Sequence, residues 1–182
     1  TGRAMIIVDD TGENSIVVVP GANATVVPPT PLPRARVVLA QLEVPLRTVA
    51  DSLAAARAAG ATTVLNPAPA AELPAELLGN CDIVVPNEHE SELLGGPERL
   101  LAMGCQAVVV TLGAAGVDVF GGDGHEHVPA HPVDVVDTTG AGDAFCGALA
   151  ARLAAGDDLS AAVCWAAAAG ALATTVAGAV PA

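Results

Sequence analysis

The chain has 182 residues, 52% of them apolar, which is long enough for one α/β core and too apolar for a disordered polymer. Its formal charge is −13, with 20 acidic residues against seven basic ones, and every basic residue is arginine. That balance speaks against nucleic-acid binding, because nothing neutralises a phosphate backbone over a broad surface, and the missing lysine excludes a P-loop.

Thr1 to Asp10 lacks a basic segment followed by a long apolar stretch and does not read as a signal peptide. Met5 to Val8 and Ser15 to Val19 are β-branched or apolar runs joined by the turn-rich Asp9 to Asn14, which predicts a hairpin. With a return strand this hairpin forms a first unit over residues 1–27. Proline-rich Val27 to Pro33 reads as an extended linker. A different rhythm then runs over residues 34–182. Val37 to Leu42, Thr63 to Leu65, Ile83 to Val85 and Val108 to Leu112 are short strand-like runs, separated by helical patterns at Leu46 to Ala59, Glu88 to Leu94 and Pro97 to Met103.

Alternating strands and helices imply an α/β fold with a mostly parallel sheet, whose ligands bind at the carboxyl ends of the strands. The unusual loops all fall at such ends: Gln41-Leu42-Glu43, Asn66-Pro67-Ala68-Pro69-Ala70, Pro86-Asn87-Glu88-His89-Glu90, Thr111 to Gly116 and the turn at Gly140. Their convergence on one crevice is expected.

The run Asp137-Thr138-Thr139-Gly140-Ala141-Gly142-Asp143 follows the strand-like Val133 to Val136 and opens an alanine-rich segment, Ala144 to Ala155, that reads as a helix. A helix start leaves backbone N–H groups unpaired and carries partial positive charge, so small residues there let a phosphate approach. Asp143 stands where a carboxylate takes a proton from an attacking hydroxyl. An ordinary strand–turn–helix junction with an acidic first turn explains the same residues.

Glu43 reads either as an acceptor for sugar hydroxyls or as a capping acid ahead of Pro45. Asn87 and Glu90, at i and i+3, read as a capping box or as a pair reaching metal-bound waters and phosphate oxygens. Thr111 to Gly116 is a small-residue turn able to present backbone amides to a nucleotide. His89 forms no i, i+4 metal pair, and His125, His127 and His131 fall in an expected surface hairpin facing solvent. Cys81, Cys105, Cys146 and Cys164 are widely spaced in apolar contexts, which predicts buried, reduced thiols of a cytoplasmic protein. Ala161 to Ala177 is the only candidate for a membrane span, and it reads better as a buried helix.

Taken in order, Gly12-Glu13-Asn14-Ser15, Pro20-Gly21-Ala22-Asn23, Gln41-Leu42-Glu43, Asn66-Pro67-Ala68-Pro69-Ala70, Pro86-Asn87-Glu88-x-Glu90, Thr111-Leu112-Gly113 and Asp137 to Asp143 resemble the ribokinases of the PfkB carbohydrate kinase family. The resemblance covers essentially the whole chain. It implies a three-layer ribokinase-like fold with a small lid hairpin, and ATP-dependent phosphorylation of D-ribose at its 5-hydroxyl. Asp143 would be the base, Gly140, Ala141 and Gly142 the anion hole, and Glu43 a sugar-binding acid. Asn87 and Glu90 would organise Mg²⁺ and phosphate, and Thr111, Leu112, Gly113, Ala114, Ala115 and Gly116 would hold the nucleotide. Asp137, Thr139, Ala173, Val176, Gly178 and Ala182 match a monovalent-cation site, K⁺ in kind. The lid implies a homodimer contact in the full protein.

The chain departs from the family pattern in three ways. It begins mid-pattern, without an aspartate and a Gly-Gly-x-Gly-Asn type motif that hold the sugar, and ends short of the final helix, so a fragment with unpaired sheet edges and an incomplete central sheet is expected. The interval between Gly95 and Met103 is shorter than usual, and Cys146 stands where asparagine is common. A family kinase acting on another sugar or nucleoside, and a nucleotide-binding module without catalysis, are the alternatives.

Overall fold

A computed structural model describes residues 2–8, 14–122 and 124–179. Strands β1 (Arg3–Val8) and β2 (Asn14–Val19) pair antiparallel, with Met5 opposite Val17, and form the expected hairpin; the connection between them lies outside the described residues. Met5, Ile7, Val17, Val18 and Val19 are all exposed. In place of a return strand, Gly21–Thr25 forms a 3₁₀ turn, begun by Gly21 at φ 53° and held by Asn23 N–H donating to Pro20 O at 3.0 Å.

The main body is one six-stranded sheet in sequential order: β3 (Val37–Ala40), β4 (Thr62–Leu65), β5 (Ile83–Val84), β6 (Ala107–Thr111), β7 (Val117–Gly121) and β8 (Gly124–Val128). The first four are parallel and the last two antiparallel. Parallel strands are covered on both faces, so they read as continuous apolar runs with alternate residues feeding different cores. Val64, Ile83, Val85, Ala107 and Val109 enter one core, whereas Leu65, Val84, Val108 and Val110 enter the other.

Helices α1 (Leu46–Ala58), α2 (Ala75–Leu78), α3 (Glu88–Leu93) and α4 (Pro97–Ala102) lie between the parallel strands in sequence and cover one face. In α1 the buried stripe is Val49, Leu53 and Ala56, at helical spacing, and full burial of Leu53 contributes about 2 kcal/mol. Helices α5 (Ala141–Ala155) and α6 (Leu159–Ala173) cover the other face through Phe145, Leu149, Val163 and Ala166. Small residues bring these two helices together: a Cβ at Gly170 would sit 3.2 Å from Ala141 O.

Three further expectations change. Val133 to Val136 pairs with no strand among the described residues; Val136 N–H donates instead to Thr174 O at 2.8 Å after α6, and Val135 and Val136 point outward. Cys164 is exposed, because α6 has an outer face as uncharged as its inner one, while Cys81, Cys105 and Cys146 are buried free thiols as expected. The expected hairpin around His125 is β7–β8, with His131 beyond its end. All four histidines are exposed, and His125 and His127 both reach Asp118 on β7, at 3.2 and 2.7 Å.

Candidate functional site

The carboxyl ends of the parallel strands are stitched to one another by backbone. Asn66 N–H donates to Ala40 O (2.9 Å) and Leu42 N–H to Ala68 O (2.9 Å), which ties the loop after β3 to the loop after β4. The Asn66 side chain donates to Val85 O at 2.8 Å and ties in β5. Thr111 N–H then donates to Pro86 O at 3.0 Å, and Asn87 bridges Thr111, which joins β5 to β6. The loops expected to meet after these strands are therefore one continuous ledge.

The turn into α5 depends on glycine at Gly140. Its φ is 79°, a left-handed conformation, and an added Cβ would lie 3.1 Å from Ala179 Cβ and 3.2 Å from its Cα. Asp143 occupies the first turn of α5 and is exposed. Ala141 N–H is engaged with Thr138 O at 3.2 Å, so of the expected anion-hole amides it is already occupied. The amides of Gly142 and Asp143 belong to the first turn, where a helix supplies no internal acceptor. A Cβ at Gly142 would meet no atom within 4 Å. Glycine in a helix costs about 1 kcal/mol relative to alanine, and packing within this chain does not require it here. Gly147 is equally open, so glycine alone marks nothing; Gly142 differs by standing in the first turn beside Asp143.

Asp137 braces this turn from below. Its carboxylate accepts Thr139 N–H and Gly178 N–H, each at 2.9 Å, and these donors, the first above all, hold its carboxyl below the usual carboxylate range. Thr174 O accepts both Val136 N–H (2.8 Å) and Asp137 N–H (3.1 Å). Asp137, Thr139, Ala173, Val176 and Gly178 thus gather around the junction of the Gly140 turn with the end of α6, and Ala182 lies outside the described residues.

Asn87 and Glu90 form a complete capping box on α3: Glu90 N–H donates to Asn87 Oδ1 at 2.7 Å and Asn87 N–H to Glu90 Oε2 at 2.9 Å. Glu90 is buried. On the inner face of α5, Cys146 is buried, and its thiol is pushed up to about 12 by that burial and by the nearby carboxylates of Asp143 and Glu90. The Glu90 carboxylate is therefore near this α5 residue.

Thr111 ends β6, Gly113–Ala115 forms a 3₁₀ turn, and Leu112 N–H donates to Gly116 O at 2.8 Å to close the loop. Gly116, at φ 106°, lies directly against the backbone of Val128 to Ala130, whereas Gly113 faces open space. Glu43 is exposed, and its own N–H is held by the Gln41 side chain. It does not cap α1, whose N-cap is Pro45 without a side-chain bond. Sequence reasoning passed over the pinning roles of Thr174 and Ala179; a buried threonine at a helix end is the only local signal for the former.

No group of three or more His, Cys, Asp or Glu among the described residues is arranged to cage a metal ion. The groups that Asp137, Thr139, Ala173, Val176 and Gly178 can offer include one carboxylate, at Asp137, and backbone carbonyls, and oxygen donors are what a hard cation takes.

The model of the pfkB family carbohydrate kinase matches residues 1–182. A ribokinase of Staphylococcus aureus is 42% identical over 171 residues, covering 84% of this chain and 56% of that protein. A deoxyribokinase of Salmonella typhi is 35% identical over 182 residues, covering 90% of this chain and 60% of the relative. The ribokinase of Arabidopsis thaliana solved with ribose and ATP superposes with a TM-score of 0.88 at 31% identity, over 98% of this chain and 64% of that one. The likeness extends to the ribokinase-like α/β fold, a mostly parallel sheet flanked by helices, and the chain spans little more than half the length of the curated relatives it matches. Its strand order, its ledge of loops and its glycine turn into α5 accompany a family match over every residue, and the chain belongs to the pfkB family of carbohydrate kinases.

Proposed function

We propose that this chain is the nucleotide- and phosphoryl-transfer part of a ribokinase, residues 34–182 carrying that chemistry and residues 1–27 its lid, in a protein that moves the γ-phosphoryl group of ATP to the 5-hydroxyl of D-ribose. The observation that carries this reading is the first turn of α5, where open Gly142 and exposed Asp143 stand side by side at the ledge formed by the strand ends. Asp143 takes the hydroxyl proton as the oxygen attacks phosphorus. Charge on the transferred group is met by the Gly142 and Asp143 amides and the positive end of a 15-residue helix, with Gly140 setting the turn and Ala141 completing it. These 182 residues contain no lysine for that task.

The loop Thr111 to Gly116 holds the nucleotide, Glu43 holds sugar hydroxyls, and the Asn87–Glu90 box orders the end of α3 toward the phosphates. Mg²⁺ bound with ATP supplies charge neutralisation between the phosphates. Asp137, Thr139, Ala173, Val176 and Gly178 would hold a monovalent cation, K⁺ by the resemblance, beneath the anion hole. The lid hairpin, with apolar residues exposed on both strands, is the surface for a homodimer in the full protein, and a protein of this chemistry acts in the cytoplasm.

In the full-length protein, Asp143→Asn is expected to lower kcat by about 10²-fold or more while ATP still binds, measured by turnover on ribose and by calorimetry with ATP. Unchanged turnover would remove Asp143 from the mechanism. The likeness to a deoxyribokinase favours one further acceptor, and a kcat/KM on 2-deoxyribose above that on ribose decides for it.

A further inference from the structure

A cavity of about 420 Å³ opens on the face covered by α1 to α4, behind α3. Its floor is apolar, built from buried Leu73, Leu78, Leu94 and Leu100. Glu72 and Arg99, both exposed, stand on its wall. These opposite charges share one small cavity without pairing, and neither forms an ion pair with any other described residue. Gly95, at φ 89°, lies under the Arg99 stem, and a Cβ there would come within 2.6 Å of Arg99 Cδ and 2.9 Å of Nη1. Arg99, Leu100 and Met103 of the wall all come from α4 and its C-cap.

We propose that this cavity binds a small zwitterion with an aliphatic body, of the aliphatic α-amino acid class. The hydrocarbon rests on the leucine floor, the carboxylate meets the Arg99 guanidinium, and the ammonium group meets Glu72. The volume lies within the range of small-molecule sites, and a few charged groups around an apolar floor are what such sites use to fix orientation. A ligand with only one charge leaves either Glu72 or Arg99 unmatched. The α3 helix that forms part of the wall also carries the Asn87–Glu90 box in its first turn, so the ligand braces the far end of that helix.

The test is calorimetric titration of the full chain with leucine, isocaproate and isoamylamine, which share one hydrocarbon body and differ in charge. Leucine is expected to bind, and the two singly charged probes to bind about tenfold more weakly or worse, since each loses one charge-assisted contact. Arg99→Gln and Glu72→Gln should each weaken leucine by about tenfold, with Arg99→Lys recovering part of the loss; thermal melts of the same variants confirm that both exposed changes leave the fold intact. No heat with leucine, equal binding of the three probes, or binding indifferent to Arg99→Gln would overturn the assignment. Binding is read without any kinase assay, so this result and the phosphoryl-transfer reading stand or fall separately.

Discussion

The two ends of the parallel sheet are held by different kinds of bond. At the amino end side chains do the holding: Asp82 accepts Thr63 N–H at 2.8 Å and Gln106 Nε2 at 2.7 Å, and Arg57 Nη1 lies 3.0 Å from its Oδ1. The Thr63 hydroxyl, fully buried, donates to Asn80 O at 2.7 Å and accepts Asp82 N–H at 2.9 Å. At the carboxyl end the loops are tied mainly by backbone groups, which leaves the Glu43 and Asp143 carboxylates exposed and free of ion pairs among the described residues. A sheet that satisfies its polar side chains at one end and spends backbone bonds at the other keeps the carboxylates proposed for sugar binding and proton transfer uncommitted. The amino end is then the place to damage stability and the carboxyl end the place to damage chemistry.

The sharpest break of that contrast is Asp82→Ala. It strands the Thr63 amide, the Gln106 amide and the Arg57 guanidinium, and is expected to cost about 3 kcal/mol, read as a lower urea midpoint. Asp143→Ala should leave the midpoint within about 0.5 kcal/mol of the parent, because nothing in the fold leans on that side chain. Equal losses from both variants would erase the distinction between the ends.

One residue at the carboxyl end breaks the pattern. Gly116 is buried against the backbone of Val128 to Ala130 at φ 106°, so Gly116→Ala forces both a left-handed residue and a collision with main chain. We expect about 2 kcal/mol or more of destabilisation, together with a raised KM for ATP as the loop proposed to hold the nucleotide shifts. A raised KM without lost stability would mean that the loop moves independently of the β7–β8 hairpin.

The legible parts of the fold are those where local chemistry decides. Thr63 to Leu65 and Val108 to Leu112 read as strands because β-branched runs bounded by turn residues have no other use in a short segment, and the structure shifts their bounds by no more than one residue, to Thr62–Leu65 and Ala107–Thr111. The start of α5 read from glycine beside an acidic first turn, and the structure adds three residues to the helix because Gly140 turns the chain one step earlier. Val133 to Val136 has the same β-branched composition and no strand beside it, and only the tertiary bond to Thr174 O decides its conformation. Helix α2 escapes because four residues between Pro74 and Gly79 carry no periodicity. In the site, Asn87 and Glu90 announce a capping box by spacing, and that box is present; their nearness to Asp143 across Cys146 depends on how α5 lies on the sheet, which no spacing encodes.

Two glycines of one helix sharpen the comparison further. Gly142 and Gly147 both lie in α5 with nothing within 4 Å of an added Cβ, so alanine at either position should stabilise the protein by about 0.5–1 kcal/mol. Only Gly142→Ala should slow turnover, since its methyl group would stand where the phosphoryl group approaches. Equal turnover in the two variants would detach the first turn of α5 from catalysis.

The smallest effect expected concerns the brace beneath that turn. Asp137 is ionised while it accepts Thr139 and Gly178 N–H, and its carboxyl lies below the usual range for that reason. A depressed folded value means that its contribution is full above the ordinary carboxylate range, near pH 4, and is lost as pH falls through the folded value. The urea midpoints of the parent and of Asp137→Asn should therefore differ at pH 6 and converge as pH drops below about 4. Because Gly178 N–H is one of the donors and Ala179 packs on Gly140, releasing this carboxylate also frees the chain that presses the glycine turn into place. A gap between the two proteins that widens at pH 7 when K⁺ replaces a bulky organic cation ties Asp137 to the proposed cation site; a gap indifferent to K⁺ leaves it as a staple of the turn alone.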